Sequence, residues 1–187
     1  MISLHFIDDF DKLESPLGGK SSLKGKNYRV IVGQPYTRNK FIHGTPASKI
    51  VKFTMGDAKG KFKHKVSLLS QNPVQIRHNA LEAARIVANK IMTDKLGENE
   101  YMLQMRIYPH LVLRENKMIA TAGADRLQEG MRRSFGKPVG RAARIKENQP
   151  ILDICVNEEG LNIAKEALKS SAMKLPTACR IEIINLE

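Results

Sequence analysis

The chain has 187 residues, 42% hydrophobic and 27% charged, which is the balance of a globular chain long enough to bury its own core without disulfides or metal. Lys and Arg outnumber Asp and Glu by 31 to 19, a formal net charge of +12 that points to a polyanionic partner. No run approaches the ~18 apolar residues of a membrane span, and the two cysteines, Cys155 and Cys179, lack the CxxC spacing of a zinc ribbon or thioredoxin motif.

In chain order, residues 1–27 hold four Lys and four acids and carry no net charge. Asp8, Asp9 and Asp11 interrupt the apolar start, so it is not read as a secretory signal. Ile50 to Phe53 and Lys65 to Leu69 are expected strands, with Phe53 taken as core. Residues 73–95 are the clearest expected helix. Asn72 would cap it, Pro73 suits its first position and Gln75 completes a capping-box pattern. Ile76, Ala80, Ala83, Ala84, Val87, Ala88 and Ile91 would form its apolar face, leaving His78 in solvent.

Leu103, Met105 and Ile107 alternate with Met102, Gln104 and Arg106, as a half-buried strand requires. Leu111 to Leu113, Arg141 to Ile145, Ile151 to Val156 and Arg180 to Ile184 are further expected strands. A second helix is expected over 158–173, capped by Asn157 and stopped by Pro176. Both cysteines fall on strands and read as small apolar residues of a reduced protein. The expected class is therefore α+β: two helices packed on a mainly antiparallel or mixed sheet, sandwich-like, with a long loop protruding.

That loop spans 122–138. Gly123, Gly130 and Gly136 let backbone approach a phosphate, while Arg126, Arg132, Arg133 and Lys137 supply donors to it. Charge is concentrated in the same way. Residues 28–72 hold nine basic residues and one acid, residues 114–146 nine and three, and residues 147–187 four and seven. Two basic blocks separated by near-neutral chain read as a nucleic-acid footprint. The first block interleaves Tyr28, Arg29, Tyr36, Arg38, Lys40, Phe41, Lys49 and Lys52, a mixture suited to stacking on bases and neutralising phosphates. The second adds Arg141 and Arg144 on the strand after the loop.

Motifs for other chemistry fail. Gly19-Lys20-Ser21 lacks the first glycine of a phosphate-binding loop, and Gly136-Lys137 is followed by Pro138 where a hydroxyl residue is needed. The five histidines are scattered without metal-ligand spacing, so neither a metal nor a cofactor is expected.

Several collinear motifs are more specific. Gln34-Pro35-Tyr36-Thr37-Arg38, Gly44-Thr45-Pro46 and Leu81-Glu82-Ala83-Ala84-Arg85-Ile86 are followed by Asn116-Lys117-Met118, by Ala122-Gly123-Ala124-Asp125-Arg126-Leu127-Gln128, by Gly130-Met131-Arg132 and by Phe135-Gly136-Lys137-Pro138. Over about residues 28–187 the chain resembles the archaeal and eukaryotic large-subunit ribosomal protein family L-ten-e, the counterpart of bacterial L-sixteen. The wording of the first motif is similar to archaeal members. The resemblance implies a non-enzymatic ribosomal constituent in the cytoplasm. It would be seated on large-subunit rRNA at the base of the central protuberance near the bound tRNAs, and would enter late in subunit assembly. It implies that loop 122–138 reaches toward the peptidyl transferase centre, with Arg126, Arg132, Arg133 and Lys137 contacting rRNA or helping to position tRNA. Neighbouring ribosomal proteins and assembly factors are the other implied partners, and no membrane is. Residues 1–27 stand where the family has a short basic tail, so they are treated as an atypical extension of a single domain, 28–187. Two alternatives stay open: an RNA-modifying or RNA-processing enzyme, for which Asp125 and Glu129 are the only acids in the loop, and an RNA-binding module outside the ribosome.

Overall fold

Residues 151–156 contain no exposed position, which marks a strand buried on both faces at the centre of a sheet. The computed structural model describes residues 24–116 and 134–186 and places that strand accordingly. In chain order the elements are β1 (Thr54–Gly56), β2 (His64–Ser70), β3 (Val74–Arg77), α1 (His78–Leu96), β4 (Tyr101–Met105) and β5 (Leu111–Glu115). After the undescribed residues come β6 (Lys137–Ile145), β7 (Pro150–Val156), α2 (Leu161–Ala172) and β8 (Cys179–Asn185).

Two antiparallel sheets result. The larger runs β1-β4-β7-β2-β8 and the smaller β3-β6-β5. Register carries apolar residues straight across the large sheet: Leu103, Ile154 and Val66 align, as do Met105, Leu152 and Leu68. These rows join Leu81, Ala84, Ala88 and Met92 of α1 and Ala164, Ala167 and Leu168 of α2 in one buried cluster. The alanines let the helices approach closely. Buried Ser171 uses that closeness, sharing its hydroxyl between the Ala167 carbonyl of its own helix (2.9 Å) and the Ala84 carbonyl of α1 (3.0 Å). The α+β class, the two helices and the antiparallel pairing follow the sequence. Residues 122–133 of the expected loop lie outside the described residues, and its last two residues, Lys137 and Pro138, already belong to β6.

Three expectations need correction. Residues 74–77 do not begin the helix; they form β3, pairing from Val74 with Ile145 to Arg77 with Ala142. Val74 and Ile76 alternate with Gln75 and Arg77, and this period of two outweighs the capping signal at Asn72-Pro73. The buried face of α1 is therefore His78, Leu81, Ala84, Ala88 and Met92, so His78 is 7% exposed and not in solvent. Residues 50–53 form no strand; the edge strand is Thr54–Gly56, whose last residue has φ +79° and lies so close to the Tyr101 carbonyl that no Cβ fits. Glu158–Gly160 form a 3₁₀ turn ahead of α2, and Asn157 makes no side-chain cap. Both cysteines lie on strands as free thiols, Cys155 buried and Cys179 half-buried, and burial pushes the Cys179 thiol up to about 11, away from the thiolate that reacts.

Candidate nucleic-acid interface

Residues 24–50 carry most of the aromatic-cationic pattern and form no strand or α-helix, only two 3₁₀ turns at Gly25–Tyr28 and Asn39–Phe41. A segment with so little internal bonding needs outside partners for its backbone. The small sheet provides them. The Gln75 backbone N–H donates to the Arg29 carbonyl (2.9 Å) and its side-chain Nε2 to the Tyr28 carbonyl (2.9 Å). The Val112 N–H donates to the Tyr36 carbonyl (2.8 Å). Arg141 Nε donates to the Pro46 carbonyl (2.8 Å), and Arg144 donates to the Gly33 carbonyl (2.8 Å) and the Val32 carbonyl (3.0 Å). Arg144 Nε also reaches Gln75 Oε1 (3.3 Å), so β3 and β6 work as one clamp.

The expected site residues therefore separate by role. Arg29, Arg38, Lys40, Lys49 and Lys137 project into solvent. Arg141 and Arg144 are half-buried, spending guanidinium hydrogen bonds on the chain's own carbonyls. Tyr28 packs against Leu111, Leu113 and Ala142, with its hydroxyl donating to the Arg114 carbonyl (3.1 Å). Burial first, then the Glu115 carboxylate, raises its phenol pKa while Arg77 lowers it, so Tyr28 stays a neutral donor. Arg126, Arg132 and Arg133 lie outside the described residues.

Tyr36 belongs to a cluster that sequence reasoning missed. The Arg114 guanidinium carbon lies 3.9 Å from the centroid of the Tyr36 ring and 3.3 Å from that of Phe135, and the two rings meet edge to face at 6.1 Å. Arg114 Nη1 is buried with no hydrogen-bond partner among the described residues, so the ring faces are its compensation. A groove of about 440 Å³ opens here, lined by Tyr36, Arg38, Phe41, His43, Arg114 and Phe135. Phe41 and Phe135 are each 68% exposed, an unusual state for phenylalanine. The groove sits where the chain leaves β5 and re-enters β6, the two ends of residues 117–133. Arg114 carried a usable signal, a cation placed directly after the continuous apolar run Leu111-Val112-Leu113. Its ring partners lie 78 and 21 residues away in the chain, which no local pattern reveals.

His78 ties this interface to the core and makes it sensitive to pH. Its Nδ1 accepts the Lys49 backbone N–H (3.2 Å), which requires that nitrogen to be unprotonated. Burial, then the charges of Lys49, Arg141 and Arg77, hold its pKa below the ordinary 6.5. The unfolded chain takes up this proton near pH 6.5 and the folded chain only at lower pH. The contribution is therefore complete above about pH 6.5 and lost as pH falls below it. Urea denaturation at pH 7.5 and 5.5 should show a smaller loss of stability for His78→Gln than for the unsubstituted chain; equal losses would remove His78 as the cause.

A sequence model for the family described as Ribosomal protein L16p/L10e matches residues 31–182. The large ribosomal subunit protein uL16 of Hyperthermus butylicus is 52% identical over 159 residues, which cover 85% of this chain and 88% of that protein. The protein of that name from Archaeoglobus fulgidus is 49% identical over 150 residues, covering 80% and 86%. One from Methanococcus maripaludis is 48% identical over 156 residues, covering 83% and 90%. With identity near one residue in two across most of each chain, the chain belongs to the ribosomal protein L16p/L10e family.

Proposed function

We propose that the chain is a structural constituent of the large ribosomal subunit that binds large-subunit rRNA through residues 24–50 and the groove beside them. Its partners are then rRNA and neighbouring ribosomal proteins, and it carries out no catalysis of its own. The observation that supports the binding surface is the clamped basic segment. Arg29, Arg38 and Lys40 stand in solvent along a backbone fastened from behind, beside an aromatic-lined groove whose polar lining includes Arg38, His43 and Arg114. Solvated cations neutralise phosphates, and exposed rings accept unpaired bases.

The finer reading follows from the sequence. Residues 28–187 act as one ribosomal-protein domain, and residues 1–27 are an extension to it. The domain sits near the central protuberance and the tRNA sites, where assembly factors meet it late in maturation. Arg126, Arg132, Arg133 and Lys137 support tRNA near the peptidyl transferase centre.

The test is sedimentation of the full chain with large subunits at moderate salt, together with rRNA binding as a function of salt. Co-migration is expected, with a log–log slope of about −0.7 to −0.9 per phosphate neutralised. Sedimentation apart from the subunit would overturn the assignment. The double variant Arg132→Ala, Arg133→Ala should still join the subunit and keep its thermal stability, yet impair tRNA placement or late maturation. A collapse in stability would instead put the loop in the core.

A further inference from the structure

A second aromatic surface lies outside the groove and shares no residue with its lining. The chain leaves β4 at Met105 but keeps the alternation of a strand. Ile107 and Pro109 are buried, while Arg106, Tyr108 and His110 are exposed. Tyr108 stacks on Phe53 with ring centroids 5.6 Å apart and planes 24° apart, and His110 tilts against Tyr108 at 4.6 Å and 51°. The Met105 N–H donates to the Phe53 carbonyl (2.8 Å), holding the inner ring to the edge of the large sheet. Three rings thus run outward from half-buried Phe53 through Tyr108, 42% exposed, to exposed His110.

Two exposed cations adjoin this ladder in the chain. Lys52 adjoins Phe53 in the chain and is exposed, and Arg106 shares the outward row with Tyr108 and His110. The carboxylate that meets Arg106 is Asp153, which is buried, with its Oδ2 2.9 Å from Lys65 Nζ and 3.5 Å from Arg106 Nε. Asp153 is shared by Lys65 and Arg106, so this group of three keeps one positive charge in excess. A stack of rings with a free end and flanking cations suits the π-face of a base joined to a phosphate. A nucleotide joins a planar face and a negative charge in one unit, whereas the acidic side chains of a protein surface carry the charge without the face.

We propose that Phe53, Tyr108 and His110 form a stacking platform that takes one unpaired nucleobase of large-subunit rRNA, with Lys52 on the adjoining phosphate; this rests on the rRNA-binding reading above. The experiment uses the full chain and large-subunit rRNA transcribed in vitro with 4-thiouridine, reading affinity across salt concentrations and photo-crosslinked peptides. Loss of one base stack weakens binding by at least about fivefold. Tyr108→Ala and His110→Ala are each expected to show that loss with an unchanged salt slope, while Tyr108→Phe binds as the unsubstituted chain does. Lys52→Ala is expected to lower the slope by about 0.7–0.9. Crosslinks should fall on the peptide containing residues 106–113. His110→Ala, at the solvent end of the ladder, keeps the test valid if Tyr108→Ala fails to fold. Steep, salt-dependent binding that neither alanine changes, with no crosslink at 106–113, would overturn the platform and leave the rRNA reading standing. Absence of salt-dependent binding by the unsubstituted chain would overturn both. In reconstituted subunits, a bifunctional protein–protein crosslinker that joins this peptide to a neighbouring protein, with no 4-thiouridine crosslink to RNA, would also overturn it.

Discussion

Arg144→Ala is expected to weaken rRNA binding by about 10- to 150-fold while the slope of affinity against salt stays unchanged. Hydrogen bonds from a charged donor contribute about 1.5–3 kcal/mol, and Arg144 makes two to the backbone at Val32 and Gly33 and a longer one to Gln75. Residues 24–50 have little bonding of their own beyond two short turns, so with this part of the clamp gone the stretch around Val32 and Gly33 must be ordered by the RNA, at the expense of affinity. The result decides between two roles for one arginine. The charge pattern marks Arg144 as a phosphate ligand, and loss of a phosphate ligand would reduce the slope by about 0.7–0.9. The geometry makes it a fastener, whose loss changes affinity alone. Arg144→Lys should recover little, because an ammonium cannot reach two carbonyls and an amide oxygen in the same fork. Hydrogen exchange offers a second measurement. The Gln75 and Val112 amides, which donate to Arg29 and Tyr36, should exchange faster in Arg144→Ala. Unchanged protection with a reduced slope would restore the phosphate role.

How much of this was legible follows from the range of each interaction. The strand at 180–184 announces itself by period-two alternation, those at 65–69 and 151–156 by short apolar runs, and most of α1 by its helical period, because each of these signals is local. At the start of α1 two local signals compete: Asn72, Pro73 and Gln75 fit a helix cap while Val74 and Ile76 fit a strand. The pairing with β6, about 70 residues later, decided the matter. Gln75 shows the consequence. Read as a cap, it is a helix residue; in β3 it is a buried amide joining Tyr28, Arg29 and Arg144. The solvent exposure of Arg29, Arg38 and Lys40 was legible as composition. Roles were not legible, because Arg141 and Arg144 carry the same charge and face the chain's own carbonyls. Arg114 and Phe135, brought together only by the β5–β6 pairing, had no local signature.

Gly136→Ala is expected to lower stability by about 2–4 kcal/mol and to disorder the groove. Two costs combine. Gly136 has φ +76°, a conformation that adds about 1–3 kcal/mol for a residue with a side chain. A Cβ there would also lie 2.9 Å from the Glu115 carbonyl carbon and 3.1 Å from the Asn116 nitrogen, and backbone cannot swing aside as a flexible side chain can. The strain falls on the Lys137–Glu115 pair that closes β5 on β6, and on the neighbouring Phe135 that covers Arg114 at 3.3 Å. If Phe135 shifts, the Arg114 guanidinium loses a ring face while Nη1 remains without a hydrogen-bond partner among the described residues. The damage is therefore to the support from which residues 117–133 depart, and rRNA affinity should fall along with stability. Asn tolerates positive φ better than Ala yet carries the same Cβ. Gly136→Asn should therefore recover only the conformational part of the loss, and urea denaturation of the two variants separates the terms. Full recovery by Asn would mean that the close approach to Glu115 costs nothing, and that the glycine is required for its backbone angle alone.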